Sequence, residues 1–171
     1  MILTKNAIKR AWEKGDIVLS PFDESQLGPV SYDYRLGPTL LEFTDFDGEK
    51  CNFKKVTIPK NGYVLKPHIM YLGNSFETLG STRYAMSLIG NSSMGRLGLF
   101  MQVSADLGHT ESSHKWTLEI VASRPTRVYP KMVVGQVSFW RNQGEVIADA
   151  LTYNQFNEPH ASLYVDRKDT P

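Results

Sequence analysis

From Ile17 to Trp140 the chain is a succession of short β-branched and aromatic runs, cut at nearly even intervals by Gly, Pro, Asn and Ser. The runs are Ile17-Val18-Leu19, Tyr32 to Leu36, Leu40 to Phe43, Val56-Thr57-Ile58, Tyr63-Val64-Leu65, His68 to Leu72, Tyr84 to Ile89, Leu97 to Val103, Trp116 to Ala122 and Val133 to Trp140. Many short strands with regular turn punctuation return repeatedly to one core, so the pattern predicts a distorted β-barrel or jelly-roll-like sandwich. One short helix precedes them. Thr4 stands as its N-cap, Ala7, Ile8, Ala11 and Trp12 form its apolar stripe, and Gly15 sits where a C′ glycine belongs. A length of 171 residues suits a single domain with a real core. Residues 1–152 read as that β domain; 153–171, polar with few apolar anchors, read as a tail or lid ordered by a ligand or a neighbouring subunit.

Charge and cysteine content narrow the partners. Lys and Arg total 19 against 18 Asp and Glu, a net charge of +1, so no global field draws the chain to nucleic acid or membrane. Cys51 is the single cysteine, which excludes an intrachain disulfide and fits a reducing compartment. Met1 to Asn6 lacks the apolar core of a signal peptide, and no run is apolar enough to span a bilayer; a soluble, cytoplasmic protein is expected. No P-loop pattern and no Gly-x-Gly-x-x-Gly after a strand is present, and one cysteine cannot build a zinc deaminase signature. His109 and His114 flank Glu111 without the further partners a zinc site needs, and read as a surface loop. Lys66-Pro67-His68 and Lys131-Met132 read as strand edges.

Two segments carry chemistry. Gly90-Asn91-Ser92-Ser93-Met94-Gly95-Arg96-Leu97-Gly98 combines hydroxyls, an arginine and glycines, a mixture suited to cradling an anion and equally to a polar turn. Trp116-Thr117-Leu118-Glu119-Ile120 sets one carboxylate in an apolar run. Burial there raises a carboxyl pKa toward that of a useful base, whereas an alternating strand turns it to solvent. Tyr153 and Phe156 in the tail can stack on a base or anchor the tail to the body.

With these segments in hand, the chain resembles the dCTP deaminase branch of the trimeric dUTPase-like superfamily. Four segments carry the resemblance, in order, over Met1 to about Trp140. Ser31-Tyr32-Asp33-Tyr34-Arg35-Leu36-Gly37 resembles the branch's Ser-x-Asp-x-Arg-Leu-Gly, and Asn91 to Leu99 its Arg-Ser-Ser-x-x-Arg-x-Gly-Leu. Glu119 lies where the family keeps a catalytic glutamate, and Val134-Gly135-Gln136-Val137-Ser138-Phe139 matches a late strand. The resemblance implies a mainly β dUTPase-like fold closing into a homotrimer with active sites at subunit interfaces. It implies zinc-independent deamination of a deoxycytidine nucleotide, with Mg²⁺ accompanying the triphosphate. Carried over by position, Glu119 is the general base, with Arg96 and Ser92 beside the water and pyrimidine. Substrate contacts fall on Asn91, Ser93, Gly95, Gln102, Ala105, His109, Trp116, Tyr153 and Gln155.

Three departures cluster on the phosphate and sugar side. Asn91 replaces an arginine, His109 stands at an aspartate position within Gly108-His109-Thr110-Glu111-Ser112-Ser113, and the tail pattern survives only as Thr152-Tyr153-Asn154-Gln155-Phe156. Loss of the arginine removes a charged hydrogen bond of about 1.5–3 kcal/mol. The leading expectation is deamination of dCTP, or a close deoxycytidine nucleotide, to dUTP and ammonia. The alternatives are a non-catalytic nucleotide-binding protein on the same fold, and a dUTPase or bifunctional deaminase.

Overall fold

A computed structural model describes residues 1–48, 50–101, 105–146 and 153–163. The opening helix α1 spans Lys5–Glu13 and buries Ile8 and Ala11. Thr4 occupies its N-cap, but the hydroxyl makes no cap bond; the Thr4 carbonyl instead accepts from the Ala7 and Ile8 amides at 2.8 and 2.9 Å. Gly15, at φ +80°, takes the left-handed turn that ends the helix.

Fourteen strands follow among the described residues: β1 Ile17–Ser20, β2 Tyr32–Arg35, β3 Thr39–Phe46, β4 Cys51–Thr57, β5 Tyr63–Leu65, β6 Met70–Asn74, β7 Thr78–Ser81, β8 Tyr84–Gly90, β9 Leu99–Met101, β10 Leu107–Gly108, β11 Ser112–His114, β12 Thr117–Ala122, β13 Thr126–Val128 and β14 Val133–Arg141. A one-turn helix, α2 (Ser92–Arg96), joins β8 to β9. The strands form antiparallel sheets ordered β4-β3-β6-β12-β9, β10-β8-β14-β2, β1-β7-β11 and β13-β5. The fold is mainly β and distorted; the described strands do not close into one hydrogen-bonded barrel. No described helix is long and apolar enough to cross a membrane.

Period-two patterning decides which side chains enter the core. Along β12, Leu118, Ile120 and Ala122 are buried, so Thr117, Glu119 and Val121 face outward. The inward faces of β2, β8 and β14 supply Tyr32, Tyr34, Met86, Leu88, Val137 and Phe139, all essentially buried. Burying the Tyr32 phenol pushes its pKa up to about 12.

The Ser31–Gly37 segment proves to be a brace. Glu77, fully buried, accepts from the Arg35 side chain and from the Arg35 amide at 2.9 Å, and Gln26 Nε2 donates to the same carboxylate at 3.2 Å. Leu36 bridges Ser75, and the Gly37 amide donates to the Asn74 carbonyl at 2.7 Å. Gly37 has to be glycine because a Cβ there would collide with the Asn74 side-chain amide. The segment thus fixes residues 74–77, against which Trp116 is locked: its amide donates to Ser75 Oγ at 2.9 Å, and Ser75 N donates to its carbonyl at 2.9 Å.

Candidate active site

Glu119 lies on β12, a strand paired on both sides. Its ladder pairs Glu119 with Leu72 of β6, and Ile120 to Ala122 with Met101 to Leu99 of β9. The outward carboxylate is half-buried, and among the described residues it has no hydrogen-bond or ion-pair partner. Burial alone raises its pKa above the ordinary carboxylate range. A carboxylate with a raised pKa and uncommitted oxygens is equipped to accept a proton and return it.

Helix α2 gathers the second group. Ser92, Ser93 and Arg96 are exposed on it, while Met94 is buried beneath. Asn91 is its N-cap: Asn91 Oδ1 accepts from the Met94 amide at 2.9 Å. Asn91 and Gly95 share a hollow of about 270 Å³ with Ile89, Leu99 and Phe100. Glu119 does not line it.

These two groups do not meet within one chain. Gly98, at φ +79°, turns the chain out of α2, and its carbonyl accepts from the Ser123 amide at 2.8 Å. Arg124 Nε donates to the Leu97 carbonyl at 2.8 Å. Arg96 therefore stands beside the Ser123 end of β12, and Glu119 lies four residues back, about 13 Å along a strand. The mutual tuning open to neighbouring strands is absent: no Arg96–Glu119 ion pair occurs among the described residues.

A family model described as dCTP deaminase-like matches residues 2–142. The chain belongs to that family. A "dCTP deaminase, dUMP-forming" of Hathewaya histolytica is 40% identical over 148 residues, covering 85% of this chain and 86% of the relative. A "dCTP deaminase" of Rhodopirellula baltica is 34% identical over 179 residues, covering 99% and 90%. The dUMP-forming enzyme of Clostridium acetobutylicum is 39% identical over 142 residues, covering 81% and 82%. Among solved structures, the 2'-deoxycytidine 5'-triphosphate deaminase of Agrobacterium tumefaciens matches with a TM-score of 0.65 at 23% identity, over 82% of this chain and 48% of that one. This chain spans about half the length of that structure, and the likeness bears on the fold.

In this dCTP deaminase-like chain the other substrate positions scatter. Gln102 lies outside the described residues. Ala105 is exposed beside Asp106, whose carboxylate accepts from Ser87 Oγ at 2.6 Å. His109 is exposed in the connection between β10 and β11. His114, read with it as a surface loop, is instead buried in β11, its ring tilted against Trp116 with centroids 4.2 Å apart. Burial lowers the His114 pKa. No group of three or more His, Cys, Asp or Glu stands ready for a metal among the described residues. Trp116 Nε1 donates to the Leu79 carbonyl at 2.8 Å, which commits its indole to the body. Tyr153 is exposed, its hydroxyl accepting from the Leu163 amide at 2.9 Å; Gln155 is exposed on the same tail.

The geometry adds residues that sequence reasoning passed over. Gln136 of β14 shares a rung with Ile89, which lines the hollow, and with Asp33 of β2. Ser31 Oγ donates to Gln136 Oε1 at 2.9 Å. The Asp33 carboxyl is raised by burial. Gln136 stood within a recognised strand motif; its outward phase on β14 was the signal that could have singled it out.

Proposed function

We propose that this chain deaminates the cytosine of dCTP, with Glu119 as general base and acid. The half-buried, uncommitted Glu119 carboxylate on a doubly paired strand carries the reading, and the names of the relatives support it. Glu119 removes a proton from water as its oxygen bonds to C4, and delivers a proton to N3. The tetrahedral centre then collapses as Glu119 carries the C4 hydroxyl proton to the exocyclic nitrogen; the C4–N bond breaks, C4 regains a carbonyl, and ammonia departs. One water is consumed for each ammonia released. Arg96, Ser92 and Ser93 bind and orient the nucleotide through the α2 hydroxyls and guanidinium.

The active assembly is proposed as a homotrimer in which one subunit's α2 faces another's Glu119. The separation of Arg96 from Glu119 within a chain supports this, as does the exposed row Met70, Val121 and Phe100 on the sheet that carries Glu119. The proposed chemistry uses no protein-held zinc, as the family resemblance implies. Magnesium enters with the triphosphate, held by phosphate oxygens. The single, exposed Cys51 suits a reducing compartment such as the cytoplasm.

The relatives from Hathewaya and Clostridium are named for dUMP as product, so pyrophosphate release after deamination is the first reading of the product. A product that stops at dUTP is the second, favoured by exposed His109 at a position where the resemblance has an aspartate. Incubation with Mg²⁺ and dCTP, with every nucleotide resolved chromatographically, separates dUMP with pyrophosphate from dUTP. Glu119→Gln is expected to lower turnover by about 10²–10⁴-fold in either case. Full activity in that variant would remove Glu119 from the mechanism.

A further inference from the structure

The tail does not hang free of the body. Lys115 N donates to Asn157 Oδ1 at 3.1 Å, and Asn74 Nδ2 donates to the Asn157 carbonyl at 3.3 Å. His160 N donates to Thr117 Oγ1 at 3.3 Å. Pro159 is buried, Lys55 pairs with Glu158 at 3.7 Å, and the Phe156 and His160 rings stack with centroids 3.8 Å apart. Residues 157–160 of the tail thus engage three parts of the body: β4, the end of β6, and the junction of β11 with β12.

The seat is placed by the Ser31–Gly37 brace, which the proposed chemistry leaves without a role. Arg35 holds Glu77, Leu36 bridges Ser75, and Gly37 leaves room for the Asn74 amide. Asn74 is 2% exposed; Nδ2 is spent on Ser75 O and Asn157 O, while Oδ1 has no partner among the described residues. The seat also adjoins the proposed base. Thr117 and Glu119 emerge on one face of β12, two residues and about 7 Å apart. Asn74 and Thr117 form one rung; Leu72 and Glu119 form the next outward-facing one.

We infer that Asn74 and Thr117 are positioning residues that seat the chain's own Asn157–His160 segment as a fixed wall beside Glu119, and that the Ser31–Gly37 motif exists to hold that seat. The inference rests on the proposed role of Glu119 for its catalytic consequence, and on geometry alone for the seat. A fixed wall excludes water from one flank of the carboxylate and keeps the site shaped before substrate arrives. A tail ordered only by substrate does neither.

The test uses the full chain carrying Asn157→Ala, changed from the tail side, and Thr117→Val, which keeps shape and removes the acceptor. In the parent, hydrogen exchange across residues 156–160 is expected to be slower than in an unstructured peptide. Both variants are expected to speed that exchange while leaving β8 and β14 as protected as before. Each is expected to lower kcat/KM roughly tenfold, the scale of one to two lost hydrogen bonds. The acid limb of the kcat/KM profile should move to lower pH as Glu119 gains water. Peptide-like exchange in the parent overturns the seat. Faster exchange with unchanged kcat/KM and an unchanged pH limb overturns the positioning role. If Glu119→Gln stays active, the proposed chemistry fails, and the exchange data still decide whether the seat forms.

Discussion

The two ends of β12 place chemistry by different means. At the Thr117 end, the Glu119 backbone is held by sheet register in a strand paired on both sides, and its carboxylate sits half-buried. At the Ser123 end, Arg96, Ser92 and Ser93 project from a one-turn helix into solvent, with the backbone pinned and the side chains exposed. The difference teaches what each end still needs. The proposed base is set in a sheet of its own chain, whereas the proposed nucleotide-binding side chains stand exposed.

The most severe way to break this contrast is to separate the ends genetically. Arg96→Ala and Glu119→Gln are each expected to be inactive, at least about a hundredfold down. Dissociated together and reassembled, they should regain part of the activity, because mixed assemblies contain sites built from two intact surfaces. No recovery would mean that one chain supplies both groups. The next test compares the supports. Arg35→Ala leaves Glu77 buried without its cation and is expected to cost about 3–5 kcal/mol in denaturant unfolding. Asn91→Ala removes only a cap and is expected to cost about 1 kcal/mol. Equal losses would erase the distinction between a braced end and a presented end.

The smallest effect is a slope in stability against pH. Burial raises the Glu119 pKa in the folded state above its unfolded value, so folding favours the protonated form. That contribution is fully present below the unfolded pKa and is lost as pH rises through the folded one. Glu119→Gln should therefore gain stability relative to the parent as pH rises across that window. Parallel unfolding curves at every pH would show that the carboxylate is not desolvated.

Most of this was legible in the sequence, unevenly. Helix α1 and strands such as β8, β12 and β14 follow from periodicity, because alternate side chains enter the core, whereas the exposed β4 is legible only at Val56-Thr57. Strands β7 and β11 were invisible for a physical reason: Thr78-Leu79-Gly80-Ser81 and Ser112-Ser113-His114 pair through small residues. At Gly80 the partner strand leaves no room for a Cβ, so closeness of backbones replaces the apolar alternation that marks a strand. The run from His68 begins as a strand only at Met70, since His68 takes φ +63°. The run from Leu97 begins only at Leu99, after α2 and the Gly98 turn.

At the site, Glu119 was readable because one charge in an apolar run is conspicuous. Asn91 was readable only as a missing arginine, whereas the fold uses it to satisfy a helix amide. His114, read with a surface loop, is buried in β11 against the Trp116 ring, which local polarity could not reveal.

The bonds from Ser123 and Arg124 to Gly98 and Leu97 carry one further consequence. They weld the backbone at the end of the short helix to the end of the long strand in a single frame. An assembly of the proposed kind would meet a helix backbone already set against its strand, with only the side chains left to orient.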